Sequence, residues 1–363
     1  MNLFPALEKT YTKEHLKAAE AQSQAYFIAF GPIVFQVGRL MIKFGILDML
    51  RDSDQGMTQA EIVEKTGLSP YAVKVLLEGS LCIGLVLVDT ETDRFTLSKT
   101  GWFLLTDPSI RVNVDFNHDV NYEGWFLLEE ALKEGKPTGL KHFGDWPTIY
   151  EGLSQLPEQV QKSWFGFDHF YSDHSFDQAL QIVFDRNPKT LLDVGGNTGR
   201  WALHCVDYND AVEVTIMDLP QQLEMMRKFV KGKKGFERIG GYGINLLDRT
   251  QQFPAKHFDI IWMSQFLDCF GEDEILSILT RAAKVMDKDS RLCIMETFWD
   301  RQKYTPSAFA LTMTSLYFTA LANGNSKMYH SDDMARLVKE AGLEVETVHD
   351  GLGHGHSIMI CKK

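Results

Sequence analysis

The chain of 363 residues predicts an α/β fold, a doubly wound sheet domain preceded by a mostly helical winged-helix domain. Three observations carry this. From about residue 188, short apolar runs alternate with helical stretches, at 190–194, 212–217, 258–263, 291–296, 343–348 and 356–361. A glycine-rich turn, Gly195-Gly196-Asn197-Thr198-Gly199, follows the first run. Upstream, residues 58–97 read as helix, turn, helix, hairpin.

Taken in order, residues 13–50 are helical and strongly apolar in their second half. Tyr26, Phe27, Phe30, Ile33, Val34, Val37 and Met41 are too many for one narrow stripe, so this helix needs burial on more than one side, and a partner subunit is one way to supply it. Thr58 with Glu61 forms a capping box. Gly67 ends that helix, Ser69 and Pro70 start the next, and residues 85–97 form the hairpin. The second helix offers only Lys74 as a base, with Glu78 nearby, so the module is read as structural and dimerising rather than DNA-binding. The division is then 1–110 for the helical, winged-helix dimerisation domain, 111–187 for a helical connector contributing to a pocket, and 188–363 for the sheet domain.

The turn sets the ligand class. Glycines at 195, 196 and 199 let the backbone approach a ligand, and Asn197 tolerates a left-handed conformation. A dinucleotide site wants G-x-G-x-x-G, and neither Gly195 nor Gly196 starts that pattern. The acid-first form, Asp193-x-Gly195-x-Asn197-x-Gly199, suits S-adenosylmethionine, which has no phosphate to cradle. Asp218 closes the second strand, where a carboxylate accepts both hydroxyls of a ribose.

Composition narrows the partners. A net charge of −12 repels a phosphate backbone, so no nucleic-acid partner is expected. No run of about 18 uncharged apolar residues is present, so no membrane span is expected. The N-terminus shows no signal-peptide pattern, and cysteines 82, 205, 269, 293 and 361 are scattered without a C-x-x-C; both suit a cytoplasmic protein without structural zinc.

Asp193-Val-Gly-Gly-Asn-Thr-Gly199, Met217-Asp-Leu-Pro220 and the stretch Asp259–Glu274 together resemble the S-adenosylmethionine-dependent small-molecule O-methyltransferases, the group of plant caffeate-type and bacterial polyketide-type enzymes. The resemblance implies a Rossmann-like methyltransferase domain and a homodimer that transfers a methyl group to an oxygen of a small aromatic or polyketide-like acceptor. It implies that Gly195, Gly196, Asn197 and Gly199 line the cofactor, that Asp218 binds its ribose, and that Leu219, Asn245 and Leu246 lie at the adenine. Ser264 stands where the family often has a lysine.

The departure is at the base. Plant-type members carry His-Asp-Trp after the fourth strand, and this chain has Asp268-Cys269-Phe270. Asp268 is therefore the positional candidate, in competition with a role as cap of the helix starting near Gly271. A carboxylate with an ordinary pKa of about 3.9 is a weak base unless burial raises it. Glu296 matches the family acid that orients the base, and the second such acid is missing, with Met328 nearest. Phe167, Phe170 and Tyr171 sit where the acceptor pocket is built, and Phe309 and Met313 recur at helical spacing; core and pocket roles stay open for all five. His330 is read as a loop residue. His354 and His356, two apart, are expected on one strand face, in a pocket or hairpin role rather than on a metal. N- or C-methylation, non-methylating chemistry with the same cofactor, and a ligand-sensing regulator remain the alternatives.

Overall fold

The computed structural model describes the backbone of residues 1–363 and the side chains of all but residues 172 and 173. The residues fall into two compact units. One contains Glu14–Val120 and Lys162–Phe167; the other contains Met1–Lys13, Asn121–Gln161 and Asp168–Lys363. The segment 111–187 is thus shared between the units instead of standing as a connector. Residues 1–13 go with the sheet because Leu7 is fully buried there and the Phe4 N–H donates to the Asp300 carbonyl at 3.1 Å.

In the first unit the apolar stretch 13–50 is three helices, not one: Ala18–Ala29, Gly31–Lys43 and Ile46–Arg51. The first two meet at 74°, where Pro32 stands at the start of the second helix and lacks an N–H to continue the first. No single helix among the described residues is long and apolar enough to cross a membrane. Helix Ala18–Ala29 buries none of its residues, and Tyr26, Phe27, Ile28, Phe30 and Ile33 all face outward. Next come strand β1 (Met57–Thr58), helices Gln59–Thr66 and Pro70–Cys82, and strands β2 (Val86–Asp89) and β3 (Arg94–Leu97) in the antiparallel order β1-β3-β2. The local signals act as read. Thr58 Oγ1 accepts from Glu61 N–H at 3.3 Å while Glu61 accepts from Thr58 N–H at 2.7 Å. Gly67 takes a left-handed φ of 69°, and Ser69 caps Ala72 N–H.

The second unit is built on seven strands: β4 (Thr190–Val194), β5 (Glu213–Asp218), β6 (Ile239–Gly243), β7 (Ile260–Ser264), β8 (Arg291–Glu296), β9 (Glu344–Leu352) and β10 (His356–Lys362). Their order is β6-β5-β4-β7-β8-β10-β9; the first five are parallel, and β10 runs antiparallel to both its neighbours. β6 lies outside the six expected strands. It reads Ile-Gly-Gly-Tyr-Gly, an edge strand with too few apolar residues to announce itself.

Helices cover both faces, which is why the inner strands are almost wholly apolar. Leu192, Val194, Ile261, Met263 and Ile294 meet the helices Glu272–Val285 and Ser331–Glu340 on one side. On the other, Leu191, Ile216, Ile260, Trp262 and Met295 meet Phe176–Val183, Arg200–Tyr208 and Pro220–Val230. Trp201, in the first turn of its helix, stacks on Trp262 with ring centres 4.4 Å apart. The carboxyl ends of β4, β5, β7 and β8 consequently collect the residues singled out from sequence.

Candidate active site

The turn after β4 is left-handed at three places: Gly195 (φ 72°), Asn197 (φ 48°) and Gly199 (φ 84°). Gly195 N–H donates to the Met217 carbonyl at 2.9 Å, and Gly199 N–H to the Gly196 carbonyl at 2.8 Å, so the turn is closed on itself and onto β5. Two glycines are required by space as well. A Cβ on Gly195 would overlap the Phe266 ring, and one on Gly196 would overlap the Asp193 carboxyl folded beneath it. That carboxyl is buried, its Oδ2 has no hydrogen-bond partner, and burial, reinforced by Asp218, pushes it up to about 8.

Asp218 ends β5 with one carboxylate oxygen accepting from Asn197 N–H at 2.9 Å and the other from Leu219 N–H at 2.7 Å. Burial raises its pKa and these two bonds oppose the rise. Each oxygen keeps a second lone pair for a ligand hydroxyl. Leu219 then precedes the helix Pro220–Val230.

The segment after β6 is fixed by a residue that the sequence did not single out. Arg281, buried on helix Glu272–Val285, donates to the carbonyls of Leu246, Asp248 (3.3 Å) and Gln251 (3.0 Å). Asn245 is exposed and accepts from Leu247 N–H, whereas Leu246 turns its side chain into the core. Ser264 closes β7, half-buried.

Asp268 lies in a short 3-10 turn, Leu267–Cys269, and is 6% exposed. It does not cap the next helix: Gly271 does, with its N–H donating to Glu274 at 2.8 Å. Glu296, at the end of β8 and 3% exposed, accepts from the N–H groups of Phe266 (3.1 Å) and Leu267 (2.9 Å), so it holds the turn that carries Asp268. Its other oxygen has no partner. Burial pushes Asp268 up to about 7, helped by Asp168 and opposed by Cys269, whose thiol donates to Asp268 at 3.6 Å. Burial and the charge of Asp268 likewise hold Glu296 well above the usual carboxylate range. Two buried carboxyls that feel each other's charge share protons instead of both ionising. Where a second acid was expected, Met328 is buried and accepts from Thr297 Oγ1 at 3.5 Å; Asn323 supplies the polar contact there, donating to the Cys269 carbonyl.

The aromatic candidates separate. Phe167 belongs to the first unit and stacks on buried Phe116 at 4.1 Å. Phe170 and Tyr171 belong to the second, where Phe170 stacks on His354 at 4.4 Å and meets Tyr171 edge-on. Phe309 and Met313 are 60% and 45% exposed on helix Thr305–Tyr317, which removes the core reading for both within this unit. The histidines differ in outcome. His330 lies before the helix Ser331–Glu340, as read, and serves as its N-cap, accepting Asp332 N–H on Nδ1 at 3.0 Å. His354 and His356 do not share a strand face, because β10 begins at His356 and His354 lies in the turn before it. His356 is fully buried with Nδ1 2.8 Å from Ser175 Oγ, and burial takes it down to about 3. Among the described residues no cluster of His, Cys, Asp or Glu is arranged to hold a metal ion.

Comparisons with known proteins bear on the family and the fold. Residues 159–348 match the Methyltransferase domain family and residues 22–95 the Dimerisation2-like domain. The chain is 23% identical over 320 residues to the mitomycin biosynthesis 6-O-methyltransferase of Streptomyces lavendulae, covering 84% of each. It is 25% identical over 367 residues to the demethylsterigmatocystin 6-O-methyltransferase of Aspergillus flavus, covering 93% of this chain and 87% of that one. The solved structure of the S-adenosylmethionine-dependent methyltransferase SibL superposes with a TM-score of 0.71 at 21% identity, covering 94% of this chain and 99% of that one.

Proposed function

The chain belongs to the Methyltransferase domain family, and on that premise we propose that it moves a methyl group from S-adenosylmethionine to an oxygen of a small acceptor. The observation that carries this reading is the closed glycine turn tied to Asp218, with the buried acid Asp268 at the end of a neighbouring strand of the same sheet. The relatives' names support oxygen as the methylated atom and an aromatic or polyketide-like acceptor.

The residues fit the cofactor. The left-handed turn at Gly195, Asn197 and Gly199 brings backbone to the carboxyl end of β4, and Asp218 has lone pairs left for two ribose hydroxyls. Leu219 and Asn245 border the same strand ends. S-adenosylmethionine supplies an electrophilic methyl on a sulfonium that leaves as a neutral thioether. Asp268 receives the acceptor's hydroxyl proton; its pKa near 7 makes it a far better base than an ordinary carboxylate. Glu296 positions it through the backbone of residues 266–267. Alignment of acceptor oxygen and methyl contributes the rest of the rate.

The reading includes a homodimer formed through the first unit, supported by the exposed apolar helix Ala18–Ala29 and the Dimerisation2-like match. A cytoplasmic setting is supported by five free cysteines. Neither nucleic acid nor membrane enters the reading, in keeping with the charge of −12. The test is titration calorimetry with S-adenosylmethionine and S-adenosylhomocysteine, followed by incubation with a panel of phenols read by mass. Micromolar binding and a product heavier by one methyl group are the expected results; a methyl on nitrogen or carbon, or no cofactor binding, overturns the reading.

A further inference from the structure

On the reading that the chain methylates an oxygen, we infer that Tyr150 is an acceptor-binding residue. Its hydroxyl donates a hydrogen bond to an oxygen of an uncharged acceptor seated at Asp268, and the carboxyls around it reject acceptors that carry a carboxylate.

Tyr150 comes from a segment with no sequence motif, the short helix Ile149–Gly152, yet its position is tightly set. Ile149 is fully buried. The Trp146 ring lies against both Gly144 and Gly152, and a Cβ on either glycine would overlap it. Upstream, Gly139 packs so closely on the carbonyls of Gly124 and Ala320 that it too has no room for a side chain. The loop is thereby pinned, and it delivers Tyr150 beside Cys269, Tyr317 and Asp268.

The hydroxyl delivered there has no strong partner. Its oxygen is buried and bonds no nitrogen or oxygen of the chain; the polar group beside it is the Cys269 thiol, a weak hydrogen-bonding group. Glu296 Oε2, on a side chain only 3% exposed, is also without a hydrogen-bond partner. A folded chain rarely leaves buried polar atoms unpaired, and their convergence beside the candidate base points to a partner that arrives from outside. A phenol has the right chemistry. Its hydroxyl gives a proton to Asp268, and an oxygen accepts from Tyr150.

The charge around the hydroxyl narrows the class. The charge of Asp168 raises Asp268 and that of Asp268 raises Glu296, and neither Asp268 nor Glu296 has a lysine or arginine partner among the described residues. His169 stands beside the group, with Nδ1 3.8 Å from Asp168. A further carboxylate brought here would be desolvated against like charge.

The test uses the full-length protein and its Tyr150→Phe variant, which removes only the oxygen. Three measurements are made: melting of the unliganded protein, affinity for S-adenosylhomocysteine, and affinity of that complex for 1-naphthol and 1-hydroxy-2-naphthoate. The variant is expected to melt within about a degree of wild type, because the only partner the hydroxyl gives up among the described residues is a weakly bonding thiol. It should bind S-adenosylhomocysteine unchanged and 1-naphthol roughly 3- to 10-fold more weakly, the loss of one hydrogen bond. Wild type should take 1-naphthol at least about 10-fold more tightly than the naphthoate. A variant that melts several degrees lower makes the hydroxyl structural and overturns the inference. So does unchanged naphthol affinity, a preference for the naphthoate, or a wild-type complex that takes no naphthol. Failure of S-adenosylhomocysteine to bind wild type overturns the methyl-transfer reading instead.

Discussion

The Asp218 carboxylate accepts the Asn197 backbone N–H at 2.9 Å, which ties the tip of the glycine turn to the end of the neighbouring strand. One side chain thus both shapes the turn and presents oxygen to a ligand. Asp218→Ala should lower affinity for S-adenosylhomocysteine by roughly 100-fold, the loss of two charged hydrogen bonds. Calorimetry on a variant shown folded by circular dichroism checks it; near-normal affinity would remove Asp218 from the site.

Gly195→Ala meets two obstacles, a φ of 72° and the Phe266 ring. The expected cost is about 3 kcal/mol or more. Adding Phe266→Ala should recover the steric part but not the backbone part. Urea unfolding of the single and double variants measures the split, and strict additivity would mean the ring is not the obstacle.

Asp268, pushed up to about 7, must be ionised to take a proton. The rate of methyl transfer should therefore climb as pH rises through about 7 and then level off. Asp268→Asn should lower kcat by about 100- to 10,000-fold and abolish this rise. A wild-type profile flat from pH 5 to pH 9 would mean that proximity alone suffices.

Stability moves the other way. Asp193 rises from an ordinary 3.8 to about 8 in the folded chain, so the folded state holds the proton that the unfolded chain releases. Its favourable contribution is complete below pH 3.8 and is lost as pH climbs to about 8. The melting temperature of Asp193→Asn relative to wild type should accordingly improve between pH 5 and pH 8. A difference independent of pH would show that Asp193 titrates as an exposed carboxylate does.

Ile28 and Tyr26 lie exposed on a helix that buries nothing. Changing both to lysine should leave the monomer's melting almost unchanged while shifting sedimentation from dimer to monomer. A dimer that survives the double change is held together elsewhere.

Much of this was legible because the signals are local. The turn at Gly195–Gly199 needs left-handed backbone, and only a few residue types supply it. The inner strands are apolar because both their faces are covered. Thr58, Gly67 and Ser69 cap their helices through bonds that span three or four residues. What escaped depends on distance along the chain. Arg281 reads as one more helix arginine until its three carbonyl partners, all some 30 residues earlier, are known. Tyr150 lies more than 100 residues from Cys269 and Asp268, so no spacing rule pairs them. His354 and His356 are two apart, but the strand begins at His356, so the alternation rule does not reach back to His354. β6 failed for a compositional reason, three glycines in five residues.

The stacked indoles of Trp201 and Trp262 give the molecule a built-in optical label. Their transition dipoles are close enough to couple, so the far-ultraviolet circular dichroism should carry an exciton couplet from this pair. One ring belongs to the helix that springs from Gly199 and the other to the middle of the sheet. The couplet therefore reads the angle between that helix and the strand beneath it, and any rearrangement of the turn can be followed in unlabelled protein.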